Sequence, residues 1–179
     1  MQKFWAGKDY TDEISHAYHF FVIVRMSRQG DQKTFATTTK NRVRRDRNEQ
    51  VSAFRSAVEG LEAVHNRLVD RVMIRCTPAL QLLLEFDQPD VVAYCDPPYL
   101  PSTRYAPAYY RHEMDEADHV QLLGLLVKLK SKVLLSGYPS ELYDKTLVGW
   151  NRVMLTEQPA HMAAGPNKPK RQEIIWKNF

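Results

Sequence analysis

Val91-Val92-Ala93-Tyr94-Cys95-Asp96-Pro97-Pro98-Tyr99 is the stretch whose reading decides the fold. Five largely apolar residues in a row suit a central β-strand covered on both faces. Pro97 and Pro98 cannot continue it, because each lacks an N–H and holds φ near about −65°. Asp96 therefore stands where the chain leaves the sheet, at the carboxyl edge where open α/β folds bind ligands. A carboxylate and the carbonyls of a rigid turn make an array of acceptors suited to a planar –NH2 group. Tyr99 adds a flat face on which a ring bearing that amine can stack. The alternative is an ordinary strand end with a proline stop and a solvated aspartate, since Asp-Pro pairs also form simple turns.

Composition bounds what surrounds this corner. A chain of 179 residues suits one domain with a real core. Its 44% hydrophobic and 26% charged content is that of an ordinary soluble globular chain. No apolar run approaches the about 20 residues of a membrane span, and Met1 to Tyr10 has no apolar signal core. Cys76 and Cys95 stand alone without a CxxC pair, so neither a disulfide framework nor a zinc site is indicated. A cytoplasmic setting and no metal are the expectation. Between Arg25 and Arg47 eight basic residues face two acidic ones, a net of +6 against +4 for the whole chain, which leaves −2 elsewhere. Such a basic segment on a near-neutral body indicates a polyanionic partner.

Residues 13–26 are dense enough in apolar side chains to predict a buried helix capped by Thr11 or Asp12, although Phe20 to Val24 also suits a strand. Ser27 to Arg47 lacks a period and reads as a long exposed loop. Val51, Phe54, Val58, Leu61, Val64 and Leu68 restore helical spacing, with a break at Gly60. A short strand is expected over Arg71 to Cys76 and a helix over Ala79 to Phe86 behind Pro78. Asp115 to Lys130 reads as a helix with the stripe Val120, Leu123, Leu126, Val127 and Leu129. A strand over Lys132 to Ser136, a short helix capped by Ser140, and a closing pair of strands near 150–156 and 172–176 follow. The order from residue 71 predicts a layered α/β sheet of parallel strands with an antiparallel ending. Residues 1–70 read as a helical and basic-loop segment, and 71–179 as the α/β portion.

With Asp96-Pro97-Pro98-Tyr99 in this order of neighbours, the chain resembles the Dam-type adenine-specific DNA methyltransferases over nearly its whole length. Supporting stretches are Phe21-Val22-Ile23-Val24-Arg25-Met26-Ser27-Arg28, Val51-Ser52-Ala53-Phe54-Arg55-Ser56-Ala57-Val58-Glu59-Gly60-Leu61, Val133-Leu134-Leu135-Ser136-Gly137-Tyr138, and Lys170 through Phe179. The resemblance implies a partial Rossmann-like, S-adenosylmethionine-dependent methyltransferase sheet with a helical, basic N-terminal insert. It implies methyl transfer from S-adenosylmethionine to the exocyclic amine of adenine in double-stranded DNA. In that scheme Asp96 and the Pro97 carbonyl accept the amine's two N–H groups, Pro98 keeps the turn rigid, and Tyr99 stacks on the flipped base. Asp96 also lies against the methionine end of the cofactor. An aspartate in the first motif position favours adenine over other amine acceptors.

DNA-binding candidates are Arg42, Arg44, Arg45 and Arg47, in the segment that reads the target, and Lys168, Lys170 and Arg171 near the chain's end. A solvated charge run is the competing reading for both groups. His112, His119 and His161 have no ligand spacing and read as structural or surface groups. Ser136-Gly137-Tyr138 ends a strand at the same edge as Asp96, so a pocket role is expected without an assignment. The chain departs from the family in its donor half. It has no Tyr-Pro-Gly-Gly-Lys-like start and no Gly-x-Gly, and Pro78 stands where many relatives carry an acidic residue. A truncated or split enzyme completed by a second chain with the cofactor-binding half is one implication. A DNA-binding remnant without catalysis is the other.

Overall fold

The computed structural model describes residues 12–27, 30, 32, 43–44, 47–104, 112–155, 158–159 and 170–179. They fall into two compact units, Met1–Ile74 and Arg75–Phe179. In the first unit, α1 (Glu13–Met26) starts where Asp12 accepts a hydrogen bond from the Ser15 amide at 2.8 Å. This helix is not buried as its composition predicts. Ile14, Tyr18 and Phe20 are 83%, 61% and 54% exposed; among the described residues α1 is met by one helix, through the edge-on pair Phe21 and Phe54. The expected long loop from Ser27 to Arg47 lies mostly outside the described residues. Within it β1 (Val43–Arg44) pairs antiparallel with β2 (Arg47–Asn48), Arg44 opposite Arg47. Asn48 then caps α2 (Glu49–Glu59), and Gly60 separates it from α3 (Leu61–Leu68), as the spacing predicts.

The strand expected over Arg71 to Cys76 does not form. Val72, Met73 and Ile74 are 52%, 74% and 84% exposed. A strand is defined by its partner, and no described strand pairs with this segment.

In the second unit, α4 (Ala79–Glu85) begins at Pro78 and is tied back by Arg75, whose guanidinium donates to both Glu85 oxygens at 3.0 Å. Next come β3 (Val92–Cys95) and α5 (Glu116–Leu126), the latter opened by a reciprocal capping box between Asp115 and Asp118. Then follow β4 (Lys132–Gly137), α6 (Glu141–Thr146) capped by Ser140, β5 (Asn151–Met154), the short pair β6 (Gln158–Pro159) and β7 (Lys170–Arg171), and β8 (Ile174–Lys177). Four of these strands form a mixed sheet in the order β3-β4-β8-β5. β3 is parallel to β4, and β8 runs antiparallel to both β4 and β5. Of the predicted parallel strands, β3 and β4 pair as expected, the strand over Arg71 to Cys76 is missing, and the antiparallel ending forms through β8 and β5, which gives a mixed α/β sheet.

The core is Leu122, Leu123, Leu126, Val133, Leu135, Tyr143, Leu147, Ile174 and Trp176. The stripe of α5 is rotated from the one expected. His119, Leu122, Leu123 and Leu126 are buried, while Val120 and Val127 are 52% and 43% exposed. The spacing 119, 122, 123, 126 is a better three-and-four pattern, and it was hidden because histidine does not count as apolar. β3 corrects another expectation. Its Ala93 and Cys95 pack against the core, but Val92 and Tyr94 are 55% and 60% exposed, and it is the edge strand of the described sheet. No described layer covers that face.

Candidate active site

The register of the sheet builds the corner. Cys95 lies opposite Leu135 on the parallel neighbour, so Asp96 leaves the sheet beside Ser136, which is still within β4 and paired with Ile175 of β8. Asp96 is exposed and Ser136 is fully buried. The Ser136 hydroxyl donates to Asp96 Oδ1 at 2.8 Å, with the Cys95 carbonyl oxygen a more distant acceptor at 3.2 Å. One carboxylate oxygen is thereby anchored to a rigid strand, while the group remains open to solvent. Burial pushes the Cys95 thiol up, so it stays neutral behind the corner.

Tyr99 is half-buried and held at two points. Its hydroxyl donates to Glu173 Oε1, and its ring meets Tyr138 edge-to-face, with centroids 4.9 Å apart and planes at 80°. Burial pushes the Tyr99 phenol well above its ordinary value, reinforced by the Glu173 hydrogen bond and the Asp96 charge and partly offset by Ser136. It is a neutral donor at any pH near neutrality. Asp96, Ser136, Tyr99, Tyr138 and Glu173 thus converge from β3, β4 and the entry to β8.

Behind the turn lies an aromatic and histidine stack. His119 is fully buried, with Nδ1 2.9 Å from the Tyr143 hydroxyl oxygen. The ring also interacts with the Pro98 backbone, and its Nε2 is buried without a hydrogen-bond partner among the described residues. Burial pushes the imidazole below its ordinary value against the opposing pull of Asp118. The Tyr143 ring packs on Trp176 at 5.2 Å.

Among the DNA-binding candidates, Arg42, Arg45 and Lys168 lie outside the described residues. Arg44 and Arg47 face each other across β1 and β2 in the first unit. Lys170 and Arg171 form β7 in the second, opposite Pro159 and Gln158. Asp96, Pro97, Pro98 and Tyr99 are together at the corner. Among the described residues, no group of three or more His, Cys, Asp or Glu side chains is placed to hold a metal ion. No described helix is long and apolar enough to cross a membrane.

A family model described as D12 class N6 adenine-specific DNA methyltransferase matches residues 14–159. The chain belongs to this family. None of the curated proteins compared with it matches. Membership makes the chain a mixed α/β, S-adenosylmethionine-dependent methyltransferase of the adenine-specific DNA class. S-adenosylmethionine is the methyl donor and DNA the substrate that the D12 class implies.

The residues present test poorly against a whole S-adenosylmethionine. A nucleotide cradle needs glycine backbone open to the ligand, and the D12 chain has no Gly-x-Gly. Gly137, at the end of β4, is closed in by protein. A Cβ there would meet Trp176 and Tyr143 ring carbons at 3.4 Å. The corner does not by itself fit the donor.

Sequence reading singled out Asp96 to Tyr99 and expected something of Ser136 and Tyr138. It missed Glu173, which meets Tyr99 across 74 positions of chain, while His119, read as a structural or surface group, is a buried structural one. An acidic residue at the mouth of a strand that the family resemblance covers was the available signal for Glu173. No local pattern marked its partner.

Proposed function

We propose that this chain carries the acceptor half of adenine N6 methylation in DNA. Asp96 and the Pro97 carbonyl accept the two N–H bonds of a flipped-out adenine amine, and Tyr99 stacks on its ring. Holding both hydrogens draws the nitrogen lone pair out of the ring and stabilises the positive charge that develops on nitrogen. The observation that carries this reading is the Asp96 carboxylate, exposed at the strand's end with one oxygen anchored by buried Ser136 and a restrained aromatic ring beside it. Arg42, Arg44, Arg45 and Arg47 contact phosphates near the target, with Lys168, Lys170 and Arg171 as a second basic group.

The glycine-rich donor half comes from polypeptide outside these 179 residues, as a further segment or a second chain. The uncovered edge strand β3, with Val92 and Tyr94 exposed beside the corner, supports this reading over a remnant that only binds DNA. Calorimetric titration of the chain with S-adenosylmethionine, alone and with the polypeptide encoded beside it, is the test. Micromolar binding that requires the second polypeptide and is lost in Asp96→Ala is the expected result. Tritiated methyl transfer to DNA by this chain alone overturns the split reading. DNA binding without cofactor binding in either preparation overturns the enzymatic one.

A further inference from the structure

The part of the corner that the acceptor reading leaves unexplained is Glu173. It immediately precedes β8, and its carbonyl oxygen accepts from the Leu155 amide at 2.9 Å, so its backbone is part of the sheet's end. Its carboxylate reaches across to the one residue of the acceptor turn that carries a flat ring. Tyr99 follows two prolines, so its backbone is stiff while its side chain keeps two torsions. The Tyr138 edge restrains the ring along its length. It does not set the position of the ring's far end, which the hydroxyl bond to Glu173 does. We propose that Glu173 is a positioning residue for adenine recognition: by accepting the Tyr99 hydroxyl it fixes the plane of the stacking ring before the base arrives.

This assignment rests on the acceptor-corner reading above and deepens it. A ring already fixed in its bound rotamer spares the ordering cost that a free side chain meets on binding. Carbonyl chemistry alone suffices for the role. A neutral glutamine at 173 keeps an acceptor for the phenol and so keeps the function, whereas alanine loses it. A carboxylate acting instead through its charge would lose function in both.

The test uses the whole chain with carbon-13-labelled tyrosine rings, titrated with 2′-deoxyadenosine and, as control, thymidine. The Tyr99 resonance is assigned with Tyr99→Phe, and the Ser136 amide reports the corner in that variant. In the parent, deoxyadenosine and not thymidine moves the Tyr99 ring signal. In Glu173→Ala the ring signal broadens and affinity for deoxyadenosine falls about fivefold, while Glu173→Gln stays near the parent. Tyr99→Phe, which removes only the hydroxyl, loses the same factor, and adding Glu173→Ala to it costs nothing more. Parent affinity in Glu173→Ala overturns the proposal, as does loss of affinity in Glu173→Gln. Should Glu173→Ala not fold, parent affinity in Tyr99→Phe overturns it equally. A parent chain whose Tyr99 ignores deoxyadenosine overturns the acceptor reading itself, a different failure from parent affinity in the variants.

Discussion

The first unit and the second carry apolar stripes of similar density, yet they bury them very differently. α1, α2 and α3 contain no buried residue, whereas α5 buries His119, Leu122, Leu123 and Leu126. The difference is the sheet. α5 shares its core with β4 and β8, which supply Val133, Leu135, Ile174 and Trp176 as a second layer, and with Ala93 and Cys95 of β3 packed against it. Among the described residues, the helices of the first unit meet each other and a two-residue strand pair. Periodicity states which face of a helix prefers to be covered; a layer must exist to cover it. The same contrast recurs inside the second unit, where one face of β3 is packed and the other, with Val92 and Tyr94, is open.

The largest expected effect separates chemistry from packing. Asp96→Asn lowers methyl incorporation into adenine-containing DNA, in the assembly that carries it out, by about 10²- to 10³-fold. Its unfolding midpoint stays that of the parent, because Asp96 is exposed. Retention of more than a tenth of the activity removes Asp96 from the chemistry. Next in size, Leu123→Ala in the covered layer costs about 3 kcal/mol in urea unfolding, against within about 0.5 kcal/mol for Val64→Ala on α3, where Leu123 is 0% and Val64 51% exposed. Equal costs would erase the distinction between the two units.

His119 offers a finer probe of the covered layer. Its folded pKa lies below the ordinary 6.5, so the fold holds it neutral. The unfolded chain binds the extra proton, and the stability this residue contributes is present above pH 6.5 and lost as pH falls below it. Urea unfolding from pH 7 to 5 should show a slope of at most about 1.4 kcal/mol per pH unit from this group. His119→Gln should remove it, and an unchanged slope assigns the acid sensitivity elsewhere. The smallest effect belongs to the first unit. Neutralising Arg44 and Arg47 together should weaken duplex binding and reduce the slope of log K against log salt by about one to two. An unaltered slope makes them solvated surface.

Much of the second unit was legible in sequence because its signals are local. Proline at 97 and 98 stops a strand wherever it lies, and Ser140 and Asp115 cap helices through their own side chains; in the first unit Gly60 likewise breaks a helix. Errors came where the deciding neighbour was distant. Val72 to Ile74 has strand composition without a pairing strand. α1 has core composition without a covering layer, and its period could not reveal that. In α5 the buried stripe turned on His119, which only the Tyr143 hydroxyl and the packing around it identify as an interior residue.

The same division runs through the candidate site. The amino-acid sequence by itself determined the acceptor turn, since Asp96, Pro97, Pro98 and Tyr99 are consecutive and their geometry follows from a strand meeting two fixed φ angles. It also determined that these 179 residues hold no Gly-x-Gly turn, since glycines absent from a sequence cannot be supplied by folding. Tertiary structure alone decided what holds the turn in place. Ser136 reaches Asp96 across 40 positions and Glu173 reaches Tyr99 across 74. Those meetings depend on β4 running parallel to β3 and β8 returning antiparallel beside it, a register set by the packing of the whole sheet and written in no single stretch of the chain.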